Sequence, residues 1–190
     1  MGSVSVASAD HYGPWTVDDV LALPEDPRNR IELVGGALMM SPAPGRLAHQ
    51  WASHRLHVLL EQAAEAAKAP VLVFDAINVL VPDGLMIPDL AVVDESVDLS
   101  GVTVHAQDVI AVVEIASPST RVADRKMKPA LYAAAGIEHY WRLELEPAPR
   151  LYLGHLEHGA YADRLVQAGQ TTAVTEPFPL DIDPARLVKR

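Results

Sequence analysis

Pro88-Asp89-Leu90-Ala91-Val92-Val93 and Val112-Val113-Glu114-Ile115-Ala116-Ser117-Pro118-Ser119-Thr120 each embed one carboxylate in an apolar run, and Asp124-Arg125-Lys126-Met127-Lys128 follows with a cluster of charge. Both runs have the β-branched, apolar character of strands. The span from Asp108 to Ala116 is the most continuously apolar in the chain. That pattern predicts a strand at the centre of a sheet covered on both faces. A carboxylate there is costly to desolvate unless a cation, a proton or several donors compensate it. Asp89 and Glu114 therefore either hold a hard divalent cation such as Mg²⁺ between adjacent strands or serve structure. In the structural case Asp89 caps a strand entrance and Glu114 pairs with Arg121 or Arg125.

Outward from this stretch, the pattern alternates between helix and strand. Thr16 to Leu23 reads as a short N-capped helix ended by Pro24 and Pro27. Arg30 to Val34 and Ala37 to Met40 flank Gly35-Gly36, the signature of a hairpin with a two-residue turn. Beyond the Ser41 to Gly45 loop, Arg46 to about Lys68 predicts the longest helix, and Val71 to Val81 a strand ended by a turn at Pro82-Asp83-Gly84. Asp94 to Gln107 reads as a polar connection. A helix is expected after Thr120, either starting at Pro129 or kinked there, because proline lacks an N–H and disfavours helical backbone at Lys128. Glu138 to Leu145, Arg150 to Leu156 and Tyr161 to Val166 read as successive antiparallel strands, with a short helix at Pro184 to Val188. The order predicts an α/β (α+β) domain: a mixed central sheet flanked by helices, with additional antiparallel strands at the C-terminal end. One domain is expected over 14–190, behind a small, polar, disordered leader at 1–13.

There is no cysteine, which excludes a disulfide framework, thiolate metal sites and a Cys nucleophile. No apolar run approaches the roughly 20 residues that span a bilayer, and no signal sequence opens the chain, so a soluble, cytoplasmic protein is expected. With 15 Lys and Arg against 25 Asp and Glu, the net charge of −10 argues against indiscriminate adhesion to nucleic acid. Arg121, Arg125, Lys126, Lys128 and Arg142 nevertheless concentrate positive charge near the two carboxylates, as a phosphate-binding patch or as a solvated face. His54 and His57 share a helical face near His49, without a recognised metal spacing. Tyr140-Trp141 reads as core.

Pro88-Asp89, then Val113-Glu114-Ile115-Ala116-Ser117-Pro118-Ser119-Thr120-Arg121, then Asp124-Arg125 and Lys128, Tyr132, Gly136 and Tyr140-Trp141 form an ordered series. Together with Arg30-Ile31-Glu32-Leu33-Val34-Gly35-Gly36 and the His49-bearing start of the long helix, it resembles the bacterial Uma-two family. That family is classed with restriction endonucleases in the PD-(D/E)XK nuclease superfamily. The resemblance spans roughly 15–156. It implies a restriction-endonuclease-like core and a Mg²⁺- or Mn²⁺-dependent endonuclease that hydrolyses phosphodiester bonds of nucleic acid, with DNA the expected substrate and a homodimer the expected assembly. Carried over, Asp89 and Glu114 become metal ligands and Glu32 the acidic residue that completes the site. The superfamily lysine lies two residues after the Glu, where this chain has Ala116; the family pattern offers Lys128 instead. Lys128 then either supports the transition state or forms an ordinary surface pair with Asp124. Glu32 either faces solvent or enters the cleft. Arg121, Arg125 and Lys126 are the expected phosphate contacts. The rival expectation, motivated by the acidic charge and by Ala116, is a catalytically inactive nuclease fold acting as a nucleic-acid or protein interaction module.

Overall fold

A computed structural model describes residues 11–43, 46–117 and 120–189. Of the expected leader, residues 1–10 lie outside the described residues, as do Pro118 and Ser119 in the break after the central strand. His11 stacks on Trp15, with ring centroids 3.8 Å apart.

The continuously apolar run forms β8 (Val109–Ala116). It pairs antiparallel with β6 (Leu90–Asp94) and parallel with β9 (His139–Glu144). Beyond β6 lies β3 (Val71–Asp75); beyond β9 lie β10 (Arg150–Glu157) and β11 (Ala160–Gln167), giving a six-stranded mixed sheet ordered β11-β10-β9-β8-β6-β3. Side chains alternate across it. Leu90, Val92, Val113 and Ile115 meet Ala52, Leu56, Leu60 and Ala64, the four-residue-spaced stripe of the long helix α2 (Leu47–Ala67) that follows the short α1 (Val17–Leu21). Ala91, Val93 and Val112 meet Tyr132 and Ile137 on the other face. Both faces of β8 are covered, as its composition requires.

A second sheet runs β2 (Ala37–Pro42), β1 (Asn29–Val34), β5 (Gly84–Met86), β4 (Asn78–Val81), β7 (Thr103–His105). Gly35 and Gly36, at φ 56° and 78°, make the expected hairpin turn between β1 and β2. The predicted single strand over 71–81 is instead two. Ala76 adopts φ 50°, donates its N–H to the Asp89 carbonyl oxygen at 3.2 Å, and turns the chain from one sheet into the other. Gly84, expected in a turn, begins β5 because it packs on β1 so closely that a Cβ would overlap the Leu33 carbonyl. The connection expected to be irregular over 94–107 contains β7. The tail adds a hairpin of β12 (Thr172–Val174) and β13 (Leu180–Ile182), and the expected terminal helix is a single 3₁₀ turn at Pro184–Leu187.

The helix after Thr120 neither starts nor breaks at Pro129. Ala123–Met127 is π-helical and runs directly into α3 (Lys128–Ala134). The Lys128 N–H reaches the Ala123 oxygen, five residues back, so the wider turn precedes Pro129 and the proline falls in the first turn of α3. Lys128 keeps helical backbone at φ −59°, ψ −42°, against the usual bias before proline. Among the described residues no helix is long and apolar enough to cross a membrane.

Candidate active site

The pairing of β6 with β8 puts Leu90 opposite Val113, so Asp89 falls beside Glu114. The Ile115 N–H donates to Asp89 Oδ2 at 2.7 Å. Arg30 on β1 donates to Asp89 Oδ1, and His49 Nε2 at the start of α2 lies 3.3 Å from Oδ2. Burial works to raise the Asp89 pKa, but His49, Arg30 and the Ile115 amide outweigh it and hold the carboxyl below the ordinary aspartate range.

Glu114 shares its strand face with Val112, the face covered by α3. There Lys128 Nζ donates to Glu114 Oε1 at 2.8 Å and the Tyr132 hydroxyl donates to the same oxygen at 3.0 Å. Lys128 Nζ is also 3.2 Å from Glu32 Oε1 and 4.0 Å from Asp124 Oδ1. Glu32 is fully buried and directed into the cleft, its Oε1 accepting from the Ile87 N–H at 2.8 Å. Asp124 and Lys128 are not the exposed helix pair their spacing allows: both are buried.

Burial pushes the Glu114 carboxyl up to about 8; Lys128 opposes this, while Asp89, Asp124 and Glu32 add to it. Burial raises Asp124 as well. For Lys128 burial opposes the charge, but Glu114 and Glu32 outweigh it and hold the ammonium above the ordinary lysine range. Four carboxylates, Glu32, Asp89, Glu114 and Asp124, thus converge on two permanent cations, Arg30 and Lys128. Glu32 Oε2 is buried without a hydrogen-bond partner. More carboxyl groups than cations, some held protonated by burial, and an unpartnered carboxylate oxygen suit a hard divalent cation, whose charge would favour their ionised forms. Among the described residues no three of these carboxylates bring one oxygen each within 4.8 Å of one another. The Lys128 ammonium bridges Glu32 and Glu114 instead.

Asp89, His49, Arg30 and His54 line a cavity of about 330 Å³ that reaches the site from one side. A second, of about 580 Å³, is lined by His49, Ala116, Arg121 and Arg46. Arg121 thus faces open space beside the site, with its Nε buried and unpartnered. Arg125 is engaged elsewhere, in a two-pronged pair with Glu144 at 2.8 and 2.7 Å, and Lys126 is exposed. Arg142 also binds Glu144. Glu114 therefore pairs with Lys128 rather than with Arg121 or Arg125. Tyr140 and Trp141 are core. The α2 histidines diverge: His49 meets Asp89, while His57 meets Asp75 and Glu61.

Sequence reasoning missed Arg30, His49 and Tyr132 as supports of the two carboxylates. Arg30 carried a usable signal, since it shares the strand face of Glu32 two residues on.

The model of the Uma2 family, described as "Putative restriction endonuclease", matches residues 17–186. A crystal structure described as "a putative nuclease belonging to DUF820 from Anabaena variabilis" superposes with a TM-score of 0.73 over 92% of this chain and 97% of that one, at 16% identity, so the two share a fold. No curated protein matches the chain.

Proposed function

Because the chain belongs to the Uma2 family of restriction-endonuclease-like proteins, we propose that it is a Mg²⁺- or Mn²⁺-dependent endonuclease that hydrolyses phosphodiester bonds, with DNA as substrate. The observation that carries this reading is the buried convergence of Asp89, Glu114 and Glu32 beside the Lys128 ammonium, with more carboxylates than cations.

Asp89 and Glu114 would hold the ion, with Glu32 completing the set. A bound divalent cation supplies Lewis-acid polarisation of phosphoryl oxygens and a water acidic enough to yield hydroxide near neutral pH. Arg30, His49 and the Ile115 amide keep Asp89 ionised and fix its direction. Tyr132 fixes the rotamer of Glu114. Lys128 presents a preorganised positive charge to the oxygens on which negative charge develops. Arg121, which lines the cavity beside the site, and the exposed Lys126 would hold flanking phosphates.

Plasmid and oligonucleotide cleavage with Mg²⁺ or Mn²⁺ tests the reading. Cutting is expected in wild type, abolished by EDTA, and lost in Asp89→Ala and Glu114→Ala; undiminished cutting in both variants would sink the assigned site. Folded wild-type protein that binds neither ion and cuts nothing would favour the interaction-module role.

A further inference from the structure

On the opposite face of the six-stranded sheet, β9 and β10 place His139 directly opposite His155. The Leu156 N–H donates to the Glu138 oxygen at 2.9 Å, which makes residues 138 and 156 a hydrogen-bonded pair. The neighbouring pair, 139 with 155, is therefore a narrow one, in which antiparallel strands bring side chains closest. The two imidazoles lie with centroids 5.2 Å apart. His139 alternates with Tyr140 and shares the face of Trp141 and Leu143, on the α2 side. The pair is thus separated from Glu114 and Lys128 by the sheet itself.

Three features mark this pair as more than packing. Glu138, His139 and His155 each bring one ligand atom within 4.8 Å of the others, the only such trio among the described residues. His139 is 4% exposed, yet among the described residues no hydrogen bond or ion pair reaches its ring. His155 Nδ1 is also buried without a hydrogen-bond partner, and its nearest carboxylate oxygen, Glu176 Oε2, is 3.9 Å away, beyond hydrogen-bonding distance. His139 and His155 border a cavity of about 350 Å³ that Val174, Thr175 and Glu176 also line.

We propose that Glu138, His139 and His155 form a second metal site, for a borderline divalent ion of the Zn²⁺ class. Two imidazoles and one carboxylate are the donors such an ion prefers, whereas Mg²⁺ prefers oxygen. Ligand atoms in a tetrahedral zinc site lie roughly 3.4 Å apart, within reach of side-chain rotation from the separations present. Glu176 is placed to supply a fourth ligand, which would fasten the segment before β13 to the sheet.

The test uses tag-free, full-length protein stripped with EDTA and titrated with Zn²⁺ against a chromophoric chelator, with Co²⁺ visible absorption reporting coordination. Wild type and an Asp89→Asn/Glu114→Gln variant are each expected to bind one tight equivalent of Zn²⁺. His155→Ala and the milder Glu138→Gln are expected to weaken that binding by about tenfold or more, with circular dichroism confirming that they remain folded. Unchanged Zn²⁺ affinity in folded His155→Ala overturns the proposal. So does loss of the tight equivalent in the Asp89→Asn/Glu114→Gln variant alone, or its absence from wild type.

Discussion

Lys128 is buried among carboxylates, 2.8 Å from Glu114 and 3.2 Å from Glu32, and no other lysine approaches them among the described residues. Lys128→Ala is expected to remove most cleavage activity and also to lower stability, because Glu114 and Glu32 lose a buried partner, so cleavage is compared in protein shown by circular dichroism to be folded. Ala116, two residues beyond Glu114, borders the 580 Å³ cavity and so has room for a longer side chain. Adding Ala116→Lys to Lys128→Ala is expected to restore about tenfold or more of the lost rate, because a charge from the strand replaces one from the helix; no recovery would mean that the ammonium must come from α3. Glu114 gives a second prediction, for metal-free protein. Its folded pKa is raised to about 8 from an ordinary 4.5. Between those values the unfolded chain has released this proton and the folded chain has kept it, so stability falls as pH rises through the window, by on the order of a few kcal/mol. Urea unfolding in EDTA should show that decline flattened in Glu114→Gln; identical pH profiles would contradict the assignment. Asp89 and Glu114 were legible in the sequence because charge inside an apolar strand is costly. The burial of Asp124 was not, since an i,i+4 acid-base pair reads the same on a solvated helix. His49 stood out in the sequence only among the histidines of the long helix and in a family resemblance, not as a support of Asp89, because that partner lies 40 residues on.

At the level of elements, the site depends on a junction that composition disguises. Val71 to Val81 reads as one strand because apolar, largely β-branched residues run through it with only Asp75 and Asn78 between them; the break at Ala76 comes from tertiary demand, the carbonyl of Asp89 capturing its N–H. Likewise no 3.6-residue pattern encodes the π turn at Ala123–Met127, which sets the direction of Lys128. The hairpin, the long helix and the central strand were legible because their patterns are long and locally consistent. Gly84 carries the junction's own prediction. It lets β5 approach β1 beside the turn that places Ile87, whose N–H holds Glu32. Gly84→Ala forces the two strands apart and should cost about 2 kcal/mol or more in denaturant unfolding. It should also lower divalent-ion affinity in calorimetry by releasing Glu32, although it lies in neither cavity. A stable variant with wild-type affinity would detach Glu32 from the strand junction.

For the molecule as a whole, a net charge of −10 means that a polyanion is repelled except where cations are locally concentrated. The structure narrows that concentration. Arg125 and Arg142 are committed to Glu144, and Lys128 is buried among carboxylates, which leaves the exposed Lys126, with Arg121 and Arg46 lining the 580 Å³ cavity, Arg46 in an exposed 3.4 Å pair with Glu146 that phosphate can displace. Three phosphate contacts release few counterions, so the slope of log K against log salt for duplex DNA should be about −3, far shallower than for a protein that grips many phosphates. Fluorescence anisotropy in Ca²⁺, chosen to hold the complex uncut, measures it between about 0.05 and 0.2 M salt. Arg121→Ala/Lys126→Ala should make the slope shallower by about 2, because each lost contact removes roughly 0.9 from it. Arg125→Ala should leave the slope unchanged and instead destabilise the fold, since the buried Glu144 loses a two-pronged partner. If Arg125→Ala alone reduced the slope, its guanidinium would have to exchange Glu144 for phosphate on binding, and the cationic surface would be one that assembles only on the nucleic acid.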